Sequence, residues 1–408
     1  MKAIMRDERE MKDSGIEYLG IIPNNWNVAS AKYFVKISNG SDPISEGDVP
    51  VYGSGKKSFR TCGEYKEGPA VLLGRKGTID IPQYIEGRYW NVDTAFDVKN
   101  KDGYSLRYYY YLSTCFDYKR YSTQTALPSM TQSNYNDMRI TVPVYSEQNI
   151  IANYLDDRCS KIDAIIAEAK GSIEEYKELK QAVIYEAVTK GLDKNVEMKG
   201  YGDWFDKCPS NWRYEQIRYL YELRDERNFE PLSEVNLISL YTDQGVMQHS
   251  DIEKTSGNKA VTADGYKKVY PEDIVVNIIL CWMGAMGRSE YQGVTSPAYD
   301  VYKPLGCSKV CSKYYHYLFR TDRFSKKCYT VGRGIMMMRW RTYSSQFRAI
   351  KVPVPPYEEQ VEIANYLDKR ISQIEELVNA KQSLIEDLES YKKSLIYEVV
   401  TGKRKVVE

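Results

Sequence analysis

The amino-acid sequence predicts a mixed α/β fold in which one architectural plan occurs twice: two globular domains, each followed by a long helix of coiled-coil character. Three observations predict it. A stretch reading VPV, then Glu-Gln, then IANYLD occurs at Val142–Asp156 and again at Val352–Asp368. Heptad-spaced apolar residues continue from both copies, and short apolar runs bounded by glycine and charge precede both.

From the Glu-Gln pair onward the register holds without a gap. Gln148 matches Gln360, Ile151–Asp156 matches Ile363–Asp368, and Ile184–Glu186 matches Ile396–Glu398, all 212 positions apart. A period of that size is domain-sized, far beyond the 20 to 50 residues of solenoid repeats. The bodies before the helices match more loosely: Pro23–Trp26 parallels Pro209–Trp212, Ala95–Val98 parallels Ala298–Val301, and Tyr108–Leu112 parallels Tyr314–Leu318. Runs such as Ala70–Leu73 and Ile274–Leu280 read as buried strands, so each body is expected to be mixed α/β.

Taken in order, the chain divides into residues 1–145, 146–195, 196–356 and 357–408, alternating body and helix. In the first helix Ile162, Ala169, Tyr176 and Val183 form one seam, with Ile165, Ser172 and Leu179 at the second position. The second helix places Ile374, Lys381, Leu388 and Leu395 in the first seam and Leu377, Leu384 and Tyr391 in the second. Ile173 and Ile385 can widen the stripe. Pro143 and Pro353 precede the helices, Glu147, Glu358 and Glu359 occupy the first turns, and Gly191 and Gly402 follow the last periodic residues. About forty helical residues reach roughly 60 Å at 1.5 Å per residue. Two matching helices of that length suit pairing with each other better than two separate cores.

A length of 408 residues allows two or three domains, and the repeat favours two. No run of 18 apolar residues and no charged-then-apolar leader is present, so a cytoplasmic location is expected. Eight scattered cysteines suit a reducing compartment. Cys307, Cys311, His316 and Cys328 match no common zinc spacing, and no metal is expected.

The net charge of +1 hides a partition. Residues 27–145 hold 15 Lys and Arg against 12 Asp and Glu, and residues 213–350 hold 20 against 15. The helical segments are acidic, with 7 against 10 in 146–195 and 8 against 11 in 357–408. Mildly basic bodies on acidic connectors suit an approach to a polyanion.

Catalytic motifs do not emerge. Gly53–Ser58 superficially resembles a phosphate loop, but Pro50 and Lys57 stand where its first glycine and its hydroxyl belong. No Asn/Asp-Pro-Pro-aromatic site, Gly-x-Gly-x-x-Gly, Gly-x-Ser-x-Gly or His-Glu-x-x-His is found, and two histidines supply little acid–base chemistry. What remains are cations and amides in glycine-punctuated loops. The first body offers Lys56, Lys57, Arg60, Arg75, Lys76, Lys119, Arg120, Gln124 and Gln132, and the second offers Arg288, Lys309, Arg333, Arg339 and Arg341. Arginine reads guanine bidentately and glutamine reads adenine, while lysine mostly fixes position on phosphate. On residues alone, a self-sufficient methyltransferase or nuclease with unfamiliar motifs and a helical adaptor without a nucleic-acid role remain open.

Together GIEYLGIIPNNW (Gly15–Trp26), PVYGSG (Pro50–Gly55), LLGRKGTI (Leu72–Ile79), NVDTAF (Asn91–Phe96), SEYQGVTSPAYDV (Ser289–Val301) and the two Glu-Gln…IANYLD helices make the whole chain resemble the specificity subunit of type I restriction-modification systems. The resemblance implies two target-recognition domains, each reading half of a bipartite DNA site, separated by two long helices packed antiparallel. It implies two methyltransferase subunits that carry S-adenosylmethionine and methylate adenine. It also implies two motor-nuclease subunits that use ATP and Mg. The chain itself is then expected to be non-catalytic and to hold no cofactor. Base recognition is expected near Lys56, Lys57, Arg60, Arg75, Lys76, Gln124, Gln132, Arg288, Arg333, Arg339 and Arg341, although Met336–Met338 is unusually apolar for a DNA-facing loop.

Overall fold

The computed structural model describes residues 1–123, 126–242, 244–249, 262–306, 309–334 and 340–407. By packing, the chain divides into two compact units, Met1–Lys170 with Gln382–Glu408, and Gly171–Lys381. The division passes through both long helices, so each unit contains one globular body and a piece of each helix.

In unit 1 the body holds eight core strands, β1 (Val35–Asn39), β2 (Val49–Tyr52), β3 (Arg60–Cys62), β4 (Lys66–Glu67), β5 (Ala70–Gly74), β6 (Gln83–Ile85), β7 (Arg88–Asn91) and β8 (Ala95–Asn100). The main sheet runs β6-β5-β8-β1 and is antiparallel throughout. Every residue of β5 is buried, which is why AVLLG is a continuous apolar run rather than an alternating one. In register, Val98 of β8 faces Val71 on one side and Ile37 on the other. A second sheet, β3-β2-β7-β4, contains one parallel pair, β2 with β7.

The tyrosine run becomes α1 (Leu106–Ser113), which buries Tyr108, Tyr109, Tyr111 and Leu112. The strand Arg139–Val142 then pairs with Asn27–Ser30 and delivers the chain to α2 (Tyr145–Lys190), 46 residues long.

Unit 2 repeats the plan. Its strands are β9 (Tyr221–Leu223), β10 (Ile238–Tyr241), β11 (Gly245–Gln248), β12 (Lys267–Val269), β13 (Ile274–Asn277), β14 (Met286–Arg288), β15 (Gly293–Thr295) and β16 (Tyr299–Pro304). The main sheet runs β9-β16-β13-β14, the same order as β1-β8-β5-β6. α3 (Ser312–Phe319) answers α1, and Lys351–Val354 pairs with Arg213–Gln216 before α4 (Tyr357–Val400), 44 residues long.

The repeated aspartate of AFDV and AYDV has a structural task in both sheets. Asp97 accepts from Lys66 Nζ at 3.1 Å and from Tyr89 OH at 2.8 Å. Asp300 accepts from Lys267 Nζ at 2.9 Å and from Tyr302 OH at 3.1 Å. A carboxylate held out of water is tolerable only with such partners.

The glutamate, glutamine and aspartate of the duplicated helix motif are explained by anchoring, since each ties a helix to a body. In unit 1, Trp26 Nε1 donates to Glu147 Oε2 at 3.0 Å, Ser105 N donates to Gln148 Oε1 at 2.7 Å, and Tyr111 OH donates to Asp156 Oδ1 at 2.5 Å. Unit 2 repeats each bond: Trp212 to Glu359 at 2.9 Å, Cys311 N to Gln360 at 2.9 Å, and Tyr317 to Asp368 at 2.7 Å.

The other helix is held at its end. Tyr108 OH donates to Val400 O at 2.8 Å in unit 1, and Tyr314 OH donates to Val188 O at 2.7 Å in unit 2. Gly402 at φ +76 and Gly191 at φ +74 close these ends in the left-handed conformation that suits glycine. Each body therefore clamps the start of the helix that follows it and the end of the other helix.

Within each unit the two helices run antiparallel. In unit 1, Asp163 pairs with Lys392 at 2.6 Å and Lys170 with Glu389 at 3.9 Å, so numbers rise on one helix as they fall on the other. In unit 2, Lys180 pairs with Glu375 at 2.6 Å. The first seam is buried at Ile162, Ala169, Ile374 and Leu395. The second seam departs from the heptad expectation. Ile165, Leu179, Leu377, Leu384 and Tyr391 remain 39–51% exposed, while Ile166, Ile173, Ile371 and Ile385 are buried instead. One partner helix covers only one stripe, and Ile162, Ile166, Ala169 and Ile173 follow it at steps of four, three and four, so the 3.5-residue period holds while the second seam lies one residue later than expected.

Among the described residues no helix is long and apolar enough to cross a membrane.

Candidate nucleic-acid interface

Three loops of unit 1 converge at one edge of the two sheets. The first, Gly53–Phe59, joins β2 to β3. The second, Arg75–Pro82, joins β5 to β6. The third runs toward Met130 after α1. Lys76 bridges to Ser129, Gly77 N donates to Pro128 O at 2.9 Å, and Met130 N donates to Arg75 O at 2.9 Å. The Gln83 amide donates to Gly53 O at 2.9 Å and ties the first loop to the same edge. Glycine is required here by space as well as by conformation. A Cβ on Gly53 would stand 2.8 Å from Thr94 Oγ1, and Gly77 has φ +79.

These turns present Lys56, Lys57 and Lys76 to solvent, with Arg75 half-buried between them. Arg75 N donates to Thr94 O at 2.7 Å, so the backbone beside this guanidinium is fixed to the main sheet. Arg60 is nearby but occupied, bonded to Asp42 at 2.5 Å and lying 5.3 Å from the Phe59 ring centroid. Gln132 donates from Nε2 to Ile37 O at 2.6 Å, pinning its short helix to β1. Gln124 lies outside the described residues. Four lysines and arginines thus share one face, a pattern that attracts phosphate, and the rigid strands beneath them set their spacing.

Unit 2 builds the matching face with different chemistry. Thr342 N donates to Ile278 O at 2.9 Å, as Met130 N does to Arg75 O. Arg333 N donates to Arg341 O at 2.8 Å, as Thr123 N does to Ser129 O at 3.1 Å. These bonds align the turn after β13 with the basic turn after β5. That turn contains Leu280, Trp282 and Met283 where unit 1 has Arg75 and Lys76. Arg333 is exposed at the base of the third loop and Arg341 sits opposite it, while Arg339 and Met336–Met338 lie outside the described residues. Trp340 stacks on Tyr329 with centroids 4.9 Å apart and steadies that base.

Arg288 is less available than its sequence position suggests. Its guanidinium bonds Glu272 at 2.8 Å and Glu290 at 2.5 Å, and its side chain is 13% exposed. Its backbone N–H donates to His316 Nδ1 at 3.1 Å. Burial, with Arg320 and Arg288 close by, pushes the His316 pKa down to about 3, so the imidazole is a neutral acceptor. Cys311 serves as a backbone donor to Gln360, Cys328 is buried, and Cys307 lies outside the described residues.

Sequence reading missed Phe59 and Leu127, large apolar side chains standing in the open on the cationic face of unit 1. Their only trace in the sequence is a large apolar residue in a loop segment, Phe59 between Ser58 and Arg60 and Leu127 between Ala126 and Pro128.

Comparison with known proteins agrees over nearly the whole chain. The family model for the type I restriction modification DNA specificity domain matches residues 23–175 and 243–387. The chain is 22% identical over 395 residues to the type I restriction enzyme MjaVIII specificity subunit of Methanocaldococcus jannaschii, covering 92% of this chain and 83% of that one. It is 21% identical over 383 residues to the EcoDI specificity subunit of Escherichia coli, covering 86% and 82%.

Among solved structures, it matches a chain from work on complex assembly and conformational transition of the type I R-M system. The TM-score is 0.69 at 12% identity, with 94% of this chain and 99% of that one covered. The HsdS subunit from Thermoanaerobacter tengcongensis matches with a TM-score of 0.52 at 13% identity, covering 94% and 98%. At such identities the structural matches speak for the fold.

Proposed function

Because this chain belongs to the type I restriction modification DNA specificity family, we propose that it reads a bipartite, asymmetric DNA site and directs adenine methylation and restriction by partner subunits. One observation carries the two-reader reading. The same loop-bearing framework is built twice, with Lys56, Lys57, Arg75 and Lys76 on one face and Leu280, Trp282 and Met283 on the other. Matching main sheets with unequal loops suit two half-sites of different sequence.

In this reading the chain is non-catalytic. Two methyltransferase subunits supply S-adenosylmethionine chemistry, and two motor-nuclease subunits supply ATP- and Mg-dependent restriction. The exposed apolar residues on the helices support docking of the methyltransferases: Ile150, Ile165, Leu384 and Tyr391 in unit 1, and Leu179, Tyr366 and Leu377 in unit 2. Co-expression with the neighbouring methyltransferase gene, followed by genome-wide mapping of methylated adenines, tests the proposal. A two-part motif is expected. Exchanging residues 27–145 for the matching body of a relative should change one half and leave the other intact. Methyl transfer by the purified chain alone would overturn the reading.

The lysines make a separate prediction. Replacing Lys56, Lys57 and Lys76 by alanine weakens DNA binding by similar factors across sequences. It also flattens the salt dependence by about one unit of slope for each phosphate no longer neutralised. Titration of the methyltransferase complex with duplex DNA at several salt concentrations measures both.

A further inference from the structure

Two large apolar side chains stand on the cationic face of unit 1. Phe59 is 60% exposed and Leu127 is 61% exposed. Neither is a stray tip. Phe59 N donates to Val51 O at 3.2 Å, and its Cε1 stands 3.6 Å from where a Cβ of Gly53 would lie. Leu127 Cδ1 stands 3.6 Å from the corresponding point on Gly77, and Ser54 Oγ stands 3.8 Å from it. The phenyl ring and the isobutyl group therefore rest against the two glycine turns that carry Lys56, Lys57, Arg75 and Lys76.

Single exposed apolar residues are ordinary. A pair set among four cations has a more particular chemistry. The cations draw in phosphates, and the apolar groups then meet base edges. The major groove offers one apolar feature for them, the 5-methyl of thymine. Unit 2 also exposes apolar side chains at the corresponding edge. The turn aligned with Arg75–Gly77 carries Leu280 and Met283, 37% and 53% exposed.

We propose that Phe59 and Leu127 are specificity-determining residues that read a thymine methyl in the half-site bound by unit 1. The inference rests on the DNA-reading proposal above. In it, Lys56, Lys57 and Lys76 hold the backbone while the two apolar side chains select an A·T pair in one orientation.

The test uses the full chain in its methyltransferase complex and a selection from randomised duplex DNA. Phe59→Ala and Leu127→Ala should each relax preference at one or two adjacent positions of a single half-site, with the salt slope unchanged. Deoxyuridine in place of the selected thymine should weaken binding by the wild-type complex about fourfold, the worth of one buried methyl. In the matching alanine variant the same replacement should change binding less than twofold. Phe59→Leu, which keeps an apolar side chain at the position, should retain part of the preference.

An unchanged motif in both alanine variants overturns the inference, as does a unit 1 half-site without an A·T pair. So does failure of the variants to assemble with the methyltransferase, which would assign the pair to a protein contact. The lysine variants separate the two levels. If they flatten the salt slope while Phe59→Ala and Leu127→Ala leave the motif intact, DNA reading stands and the methyl contact falls. If they change neither affinity nor slope, the face itself is misassigned.

Discussion

Inserting seven residues into α2 after Lys170 and seven into α4 after Lys381 should lengthen the unread spacer between half-sites by one to three base pairs. Both sites fall at the boundary between the compact units. The ion pairs Asp163–Lys392 and Lys180–Glu375 each stay within their own unit. Seven residues are two helical turns with a drift of about 20°, so the buried stripe through Ile166 and Ile173 continues across the insertion. The added rise is about 10 Å, which corresponds to about three base pairs. DNA twist reduces that number, because three base pairs rotate the second half-site by roughly 100° at about 10.5 base pairs per turn while the heptad rotates the protein by about 20°. Sequencing of methylated sites provides the measurement. Recovery of the original spacer would show that helix length does not set the separation.

Replacing Trp26 by alanine should cost unit 1 about 3–5 kcal/mol, the usual loss for a buried tryptophan. Trp26 is 1% exposed and touches both helix ends that unit 1 holds. Its Nε1 donates to Glu147 at the start of α2, and its ring lies 3.0 Å from where a Cβ of Gly402 would stand, just beyond α4. Glu147 keeps its 2.8 Å pair with Arg6, so the carboxylate is not stranded and most of the loss is packing. Trp26→Phe keeps much of that packing and should cost less. Trp212 stands in the same relation to Glu359 and Gly191, so Trp212→Ala should destabilise unit 2 to a similar extent. Urea denaturation of the full chain, followed by limited proteolysis to locate the unfolding unit, measures both. An unchanged midpoint would mean that neither tryptophan carries its clamp.

The helices and the duplication were legible in the sequence because both are local patterns. Helical periodicity, the prolines before the helices and the glycines after them are read residue by residue, and they agree with α2 and α4. The second seam was not legible in the same way. Leu377 and Leu384 have the spacing of core residues, yet a neighbouring helix covers Ile374 and Ile385 and leaves them in the open. Among the candidate site residues, Lys56, Lys57, Arg75 and Lys76 lie together on one face. Arg60, Arg288 and Gln132 are engaged by Asp42, Glu272 and Ile37, partners 16 to 95 positions away in the chain. No local pattern announces such partners.

By itself the sequence determined that the chain is built twice, that two long helices follow two mixed bodies, and that cations crowd the glycine turns of the first. Hydrophobic periodicity and turn chemistry act between near neighbours, so they survive in one dimension. Only the tertiary structure decided that each body clamps the start of one helix and the end of the other. It also decided which cations stay open to solvent and that Phe59 and Leu127 stand among them. Those outcomes depend on hydrogen bonds, ion pairs and close packing between residues far apart in the chain, and folding alone brings these together.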